Sequence, residues 1–179
     1  MSNIAFIASR SVNAQKSLLA LEKIHGNTPI EKADIIVALG GDGFMLEALH
    51  STFHLNCPVY GMNRGTVGFL MNEYSSDDLL KRLNDAEEAV IHPLKMQAQC
   101  TNNVDVEALA INEVSLIRAG AQAAKLQISV DGRIRLPELV CDGALLSTPA
   151  GSTAYNYSAH GPILPIGAEI LAMTAMSAF

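Results

Sequence analysis

Short apolar runs alternate with longer stretches of helical periodicity through the first half of the chain. Ile4, Ala5, Phe6, Ile7 and Ala8 form an apolar run of strand length. Residues 14–25 then carry Leu18, Leu19, Leu21 and Ile24 among polar positions, the pattern of an amphipathic helix. Residues 35–39 are continuously apolar, as a parallel strand covered on both faces is. Residues 43–53 predict a second helix with Met45, Leu46 and Leu49 on one side, and residues 58–62 a third strand. Ser76, Asp77 and Asp78 supply a helix start ahead of Leu79, Leu80 and Leu83. The order βαβαβα predicts an α/β domain built on a doubly wound parallel sheet.

After about residue 89 the periodicity changes from helical to alternating. Residues 90–99 alternate, and residues 104–117 are rich in Val, Ile and Leu. Residues 126–130 lead into Asp131-Gly132 and then Arg133, Ile134 and Arg135, a strong hairpin signal. Residues 139–147 form a further apolar run. The chain therefore reads as an α/β domain over 1–89 and a mostly-β, sandwich-like domain over 90–179. Residues 170–179 stay apolar and lack the polar fraying of a terminus, which predicts that the β domain is incomplete at Phe179.

Composition narrows the classes. Of 179 residues, 49% are hydrophobic, which is globular rather than disordered. A formal charge of −6 argues against nonspecific nucleic-acid binding, which needs a basic surface. A small anionic ligand stays possible, because backbone N–H groups hold phosphates without net positive charge. Cys57, Cys100 and Cys141 are odd in number and lack metal-ligand spacing, so they are expected as reduced thiols. The segment Met1-Ser2-Asn3-Ile4-Ala5-Phe6 has no basic region ahead of a long apolar stretch, and no run reaches membrane-spanning length. The expectation is a cytoplasmic protein with no membrane partner.

Two glycine-rich segments carry the candidate chemistry. Gly40-Gly41-Asp42-Gly43 stands where the second strand hands over to a helix. Its glycines permit positive φ and close backbone approach, and the helix start offers free N–H groups to a phosphate. A carboxylate there would repel phosphate, so Asp42 suits contact with a hydroxyl or a metal ion, or else it caps the helix. No G-x-x-x-x-G-K-[ST] occurs and no G-x-G-x-x-G follows an early strand, so neither a P-loop nor a dehydrogenase-type site is supported. The second segment runs from Leu146 through Gly151, Ser152 and Thr153 to Gly161 and Pro165, with small and hydroxyl residues around Tyr155.

Together these segments resemble the NAD kinase family. The first motif alone is shared with diacylglycerol, sphingosine and phosphofructokinases. Three more segments select NAD kinases: Asn63-Arg64-Gly65-Thr66-Val67-Gly68-Phe69-Leu70, Asn112-Glu113-Val114, and the run from Asp142 to Pro165. The resemblance implies a kinase that transfers a phosphoryl group from ATP or polyphosphate to the 2′-hydroxyl of the adenosine ribose of NAD, with Mg²⁺ offsetting the donor's charge. It implies Asp42 as proton acceptor, with Gly41 and Gly43 admitting the phosphates. NAD contacts are implied for Asp42, Gly43, Asn112, Glu113, Asp142, Ala150, Thr153, Ala154, Tyr155, Asn156, Tyr157 and Ser158. It also implies a homo-oligomer, dimer or tetramer, in which Asp142 can contact ligand across a subunit interface. No resident metal ligands are implied.

Other residues read plainly. His50 and His54 have metal-compatible spacing but no further ligands, and Glu87-Glu88 reads as a solvated helix end. His160, Phe44 and Val140 depart from the residues common in the family at those places. Two alternatives compete with an active NAD kinase. A lipid or sugar kinase sharing only the first motif would leave residues 153–158 unexplained. A truncated, inactive or weakly active fragment would bind the dinucleotide without turning it over.

Overall fold

The computed structural model describes residues 3–66 and 68–179. Met1 and Ser2 of the N-terminal segment, and Val67 of the turn after the third strand, lie outside the described residues. The chain divides into two compact units between Glu88 and Ala89.

The first unit is built on a parallel sheet with strand order β1-β2-β3, comprising β1 (Ile4–Ala8), β2 (Ile35–Gly40) and β3 (Val59–Asn63). Ile4, Phe6, Val37, Leu39 and Met62 project to one face, where they pack with Ala14 and Leu21 of α1 (Val12–His25) and Leu79 of α3 (Leu79–Asn84). Ala38 projects to the other face, where it packs with Met45 and Ala48 of α2 (Asp42–Thr52). Both faces of the strands are thus covered, which is why they read as continuous apolar runs. Fully burying a side chain such as Leu21 or Leu39 contributes roughly 1.5–3 kcal/mol. The sheet is wound on both faces as expected, although the strand order shows no reversal among the described residues. Two crossovers that advance the same way with helices on opposite faces have opposite hands, a departure from the usual right-handed rule.

Two local readings need correcting. The buried stripe of α1 is Ala14, Ser17 and Leu21 with Leu18 partly covered, whereas Leu19 and Ile24 face solvent. These positions follow the spacing i, i+3, i+4 and i+7, so helical geometry rather than hydrophobicity alone decides which leucines are inside. At α3, Asp78 is the N-cap residue but sits at φ 51° and its side chain caps nothing. Of the three leucines there, Leu79 is buried, Leu83 partly covered and Leu80 exposed.

The second unit is mostly β. Its central sheet is antiparallel in the order β10-β9-β6, formed by β6 (Glu113–Ile117), β9 (Gly143–Ser147) and β10 (Ala172–Met176). Two two-stranded sheets accompany it, β4 (Leu94–Gln99) with β5 (Asp105–Ala110), and β7 (Ala124–Val130) with β8 (Arg133–Cys141). Asp131 and Gly132 join β7 to β8 with φ of 52° and 72°, the paired positive values of a type I′ hairpin turn. The apolar run over residues 104–117 is split at Ile111-Asn112, so β5 and β6 enter different sheets. One face of the central sheet buries Leu145 and Ala172. The other exposes Leu116, Leu146 and Met173.

The cysteines are free thiols. Burial pushes the Cys57 thiol up from its ordinary value. No helix among the described residues is long and apolar enough to cross a membrane.

Candidate functional site

In the first unit the candidate site lies at the carboxyl ends of β2 and β3, the position at which open α/β sheets hold ligands. Gly40 ends β2, Gly41 is the N-cap of α2, and Asp42 opens the helix. The Asp42 carboxylate accepts two backbone hydrogen bonds, from Phe69 N–H at 2.7 Å and Leu70 N–H at 3.0 Å. These fix its orientation while leaving each oxygen a further lone pair for a ligand. Gly68 makes this clamp possible, since a Cβ there would stand 2.5 Å from Asp42 Oδ1. The loop is tied down at its start as well. Arg64 N–H donates to Gly40 O at 2.6 Å, the Asn63 amide donates to Thr66 O, and Asn63 Oδ1 accepts from Gly65 N–H at 2.8 Å.

The three motif glycines differ in what they do. None has the positive φ that the sequence allowed; positive-φ glycines are Gly26, Gly132 and Gly167. Gly40 is required by packing, because a Cβ would meet the Phe44 side chain at 2.7 Å. That contact also accounts for Phe44, which packs inward beside Ala38 and Met45. Gly41 and Gly43 have nothing among the described residues within 4 Å of a Cβ position. No described residue gives a steric need for glycine at either place.

A depression of about 430 Å³ opens beside this turn, lined by Asn63, Arg64, Gly65, Gly68, Met71, Glu73 and Tyr74. The Arg64 guanidinium stacks over the Tyr74 ring at 4.2 Å, and its Nε is buried without a hydrogen-bond acceptor among the described residues. Arg64 belongs to the segment 63–70, which starts at the last residue of β3, and no site role is expected of it or of Tyr74 from the sequence.

In the second unit the antiparallel pairing of β6 with β9 brings two distant motifs together. Glu113 stands opposite Ser147, and Asn112 O accepts from Thr148 N–H at 2.9 Å. The Thr148 hydroxyl donates to Ile111 O at 2.6 Å and accepts from Gly151 N–H at 3.0 Å. A Cβ on Gly151 would fall 2.2 Å from Asn112 O, so only glycine lets the 3₁₀ turn Ala150–Thr153 close onto this strand end. Here Asn112 Oδ1 and Glu113 Oε2 are both buried without a partner. Burial raises the Glu113 carboxyl above its ordinary range. Unpaired buried acceptors are rare and call for an explanation, and a ligand bearing hydroxyl or amide donors provides one.

The expected ligand residues of the next turn separate by exposure. Tyr155, Tyr157 and Ser158 are exposed, Thr153 and Ala154 half-buried, and Ala150 buried. Asn156 is fully buried and its amide is already used. It donates to Ser152 O at 3.3 Å and Pro162 O at 2.8 Å, and it accepts from the Thr174 hydroxyl at 2.7 Å. A side-chain ligand contact by Asn156 is therefore replaced by a scaffolding role. Gly161 fits tightly against this knot, since its Cβ would lie 2.1 Å from Asn156 Oδ1. His160 adopts φ 64°, the left-handed region that favours glycine.

Asp142 lies apart from these residues. It precedes β9, whereas Ser147 ends it, so the strand rise separates Asp142 from the Glu113 end by about 17 Å. Its carboxylate is paired with Arg118 Nε at 2.5 Å, and Arg118 also donates to Gly120 O. His50 and His54 are exposed, and no cluster of three metal-capable side chains exists among the described residues.

Comparison with known proteins decides the family. The description "ATP-NAD kinase N-terminal domain" matches residues 10–105, and "ATP-NAD kinase C-terminal domain" matches residues 111–179. This chain belongs to the NAD kinase family. Similar members include the NAD kinase of Cereibacter sphaeroides strain ATCC 17025, 61% identical over 98% of this chain and 69% of its own length. The NAD kinase of Caulobacter vibrioides is 59% identical over 100% of this chain and 69% of its own. Among solved structures, yeast NADH kinase complexed with NADH has a TM-score of 0.77 at 21% identity, with 99% of this chain and 66% of that one covered, and supports the fold. An NAD kinase from Archaeoglobus fulgidus in complex with ATP has a TM-score of 0.73 at 26% identity, covering 99% and 73%. This NAD kinase family chain thus spans about two thirds of the length of such relatives. Their match in both halves leaves a lipid or sugar kinase sharing one motif without support.

Proposed function

We propose that this chain phosphorylates the 2′-hydroxyl of the adenosine ribose of NAD to give NADP. One observation carries the proposal: Asp42 is clamped in orientation beside Gly41 and Gly43, two glycines that open onto space and that no protein contact requires. In the reaction the 2′-oxygen forms a bond to the terminal phosphorus of ATP or polyphosphate. The bond to the leaving phosphate chain breaks, and the hydroxyl proton passes to Asp42. Such a base contributes roughly 10²–10⁴-fold, and positioning supplies much of the rest.

Asn112 Oδ1 and Glu113 Oε2 accept hydrogen bonds from the dinucleotide, which supplies the donors that the protein does not. Tyr155 offers a ring for stacking, Thr153 and Ser158 offer hydroxyls, and Ala150 and Ala154 allow close approach. Tyr157 extends the exposed surface of the same turn. A Mg²⁺ arriving on the donor's phosphates offsets their charge beside Asp42. Asp142, distant from Glu113 along β9, contacts NAD bound by a neighbouring subunit of a homo-oligomer. The three unpaired thiols suit the cytoplasm.

The alternative is a fragment that binds the dinucleotide without turning it over. Calorimetric titration with NAD⁺, followed by assay of NADP⁺ formation from NAD⁺ and ATP or polyphosphate, separates the two. NAD⁺ binding with NADP⁺ formation supports the proposal. NAD⁺ binding without turnover on either donor contradicts it.

A further inference from the structure

The phosphoryl donor is a polyanion, and this chain carries a net charge of −6, so the question is which cation meets the donor. Arg64 is the first residue after β3, at the carboxyl end of the sheet. Its own backbone is tied to the glycine motif through Gly40 O. It lines the depression that shares Gly68 with the Asp42 clamp, and it is the cationic residue in that lining. The ion pairs among the described residues are Lys95–Glu107, Arg118–Asp142 and Lys125–Glu138, so Arg64 is in none of them. Its Nε has no acceptor among the described residues, while stacking on Tyr74 holds the plane of the guanidinium.

A buried guanidinium N–H without an acceptor is costly to maintain, and the donor set of arginine matches phosphate oxygens in a bidentate fork. Glu73, in the same lining, repels phosphate, so an anion there is held only if Arg64 offsets that charge. From this geometry we infer that Arg64 is a donor-recognition residue, which leaves its resting place over Tyr74 to bind the phosphate chain of ATP or polyphosphate beside Asp42. This inference rests on the phosphotransfer reading above. It assigns a role to a cation that neither the glycine motif nor the dinucleotide turn contains.

The test is calorimetric titration of the full chain with ATP, inorganic tripolyphosphate and NAD⁺, comparing wild type with Arg64→Gln and Arg64→Lys. Arg64→Gln is expected to weaken ATP and tripolyphosphate by about tenfold or more, with NAD⁺ affinity changed less than about twofold. Arg64→Lys, which keeps the charge, retains more affinity for both phosphate ligands than Arg64→Gln. In steady state the donor KM rises and the NAD⁺ KM does not. Unchanged phosphate binding in Arg64→Gln, equal losses in both variants, or a parallel loss of NAD⁺ binding would overturn the inference. If Arg64→Gln does not fold, Arg64→Lys decides: weaker tripolyphosphate and ATP binding with NAD⁺ affinity unchanged supports the inference, because lysine lacks the bidentate fork, and unchanged phosphate binding overturns it. Arg64-dependent tripolyphosphate binding in a chain that makes no NADP⁺ would sink the phosphotransfer reading alone. NADP⁺ formation with the donor KM unmoved in Arg64→Gln would sink the donor role alone.

Discussion

Replacing Gly43 by alanine should raise stability and lower activity at once. Gly43 lies in the first turn of α2, without positive φ, and a Cβ there meets nothing within 4 Å. Alanine is favoured over glycine in a helix by roughly 0.5–1 kcal/mol, and no contact in the protein opposes the change. For a chain of this size that corresponds to a rise in Tm of roughly 1–4 °C. If the open space above Gly43 is where the donor and ribose approach Asp42, a methyl group there blocks them. Activity as NADP⁺ formation should then fall at least about tenfold, since misplacing reacting groups by an ångström costs on the order of 10²-fold. Thermal unfolding without ligand gives the first quantity and a coupled assay of NADP⁺ gives the second. A Gly43→Ala protein that is more stable and fully active would refute the reasoning, because glycine would then be needed neither by the fold nor by the ligand.

Other perturbations separate scaffold from site. Gly151→Ala forces a Cβ against the Asn112 backbone at 2.2 Å, so denaturant melts should show a loss of about 1–3 kcal/mol or more. Asn156→Ala leaves the Ser152 and Pro162 carbonyls and the Thr174 hydroxyl without their partner and should cost about 2–4 kcal/mol by the same measurement. The Glu113 carboxyl is raised by burial, so its contribution to stability is greatest at low pH and is lost as pH rises from the ordinary carboxylate range through the folded value. Glu113→Gln should therefore be the more stable protein at neutral pH. Wild-type NAD⁺ affinity should fall as pH drops through that raised value, whereas Glu113→Gln binds weakly with a flat profile in calorimetry across pH.

Local regularities were legible in the sequence, and long-range contacts were not. The apolar runs at residues 4–8 and 35–39 announced buried parallel strands because coverage on both faces leaves no polar alternation. Asp131-Gly132 announced its turn because few residue pairs accept two positive φ values. Leu19 and Ile24 misled, since hydrophobicity does not say which side of a helix meets the sheet. Gly68, Gly151 and Gly161 stand inside the segments singled out in the sequence, but nothing local shows why glycine is needed at each. Each is required by a partner far along the chain: the Asp42 carboxylate, the Asn112 backbone and the Asn156 amide. Asn156 looked like a ligand residue by its neighbours, but only the fold shows that its amide is used by Ser152, Pro162 and Thr174. The Asp142–Arg118 pair likewise depends on strand register, which motif spacing does not encode.

The most direct test of the account is NADP⁺ formation by the wild-type chain and by Asp42→Asn under saturating NAD⁺ and donor. The substitution preserves shape and can retain a side-chain acceptor for one of the Phe69 and Leu70 amides, while removing the basic carboxylate. The account predicts turnover by wild type, a fall of roughly 10²–10⁴-fold in Asp42→Asn, and NAD⁺ binding kept within a few-fold. Near-normal turnover by Asp42→Asn would contradict it.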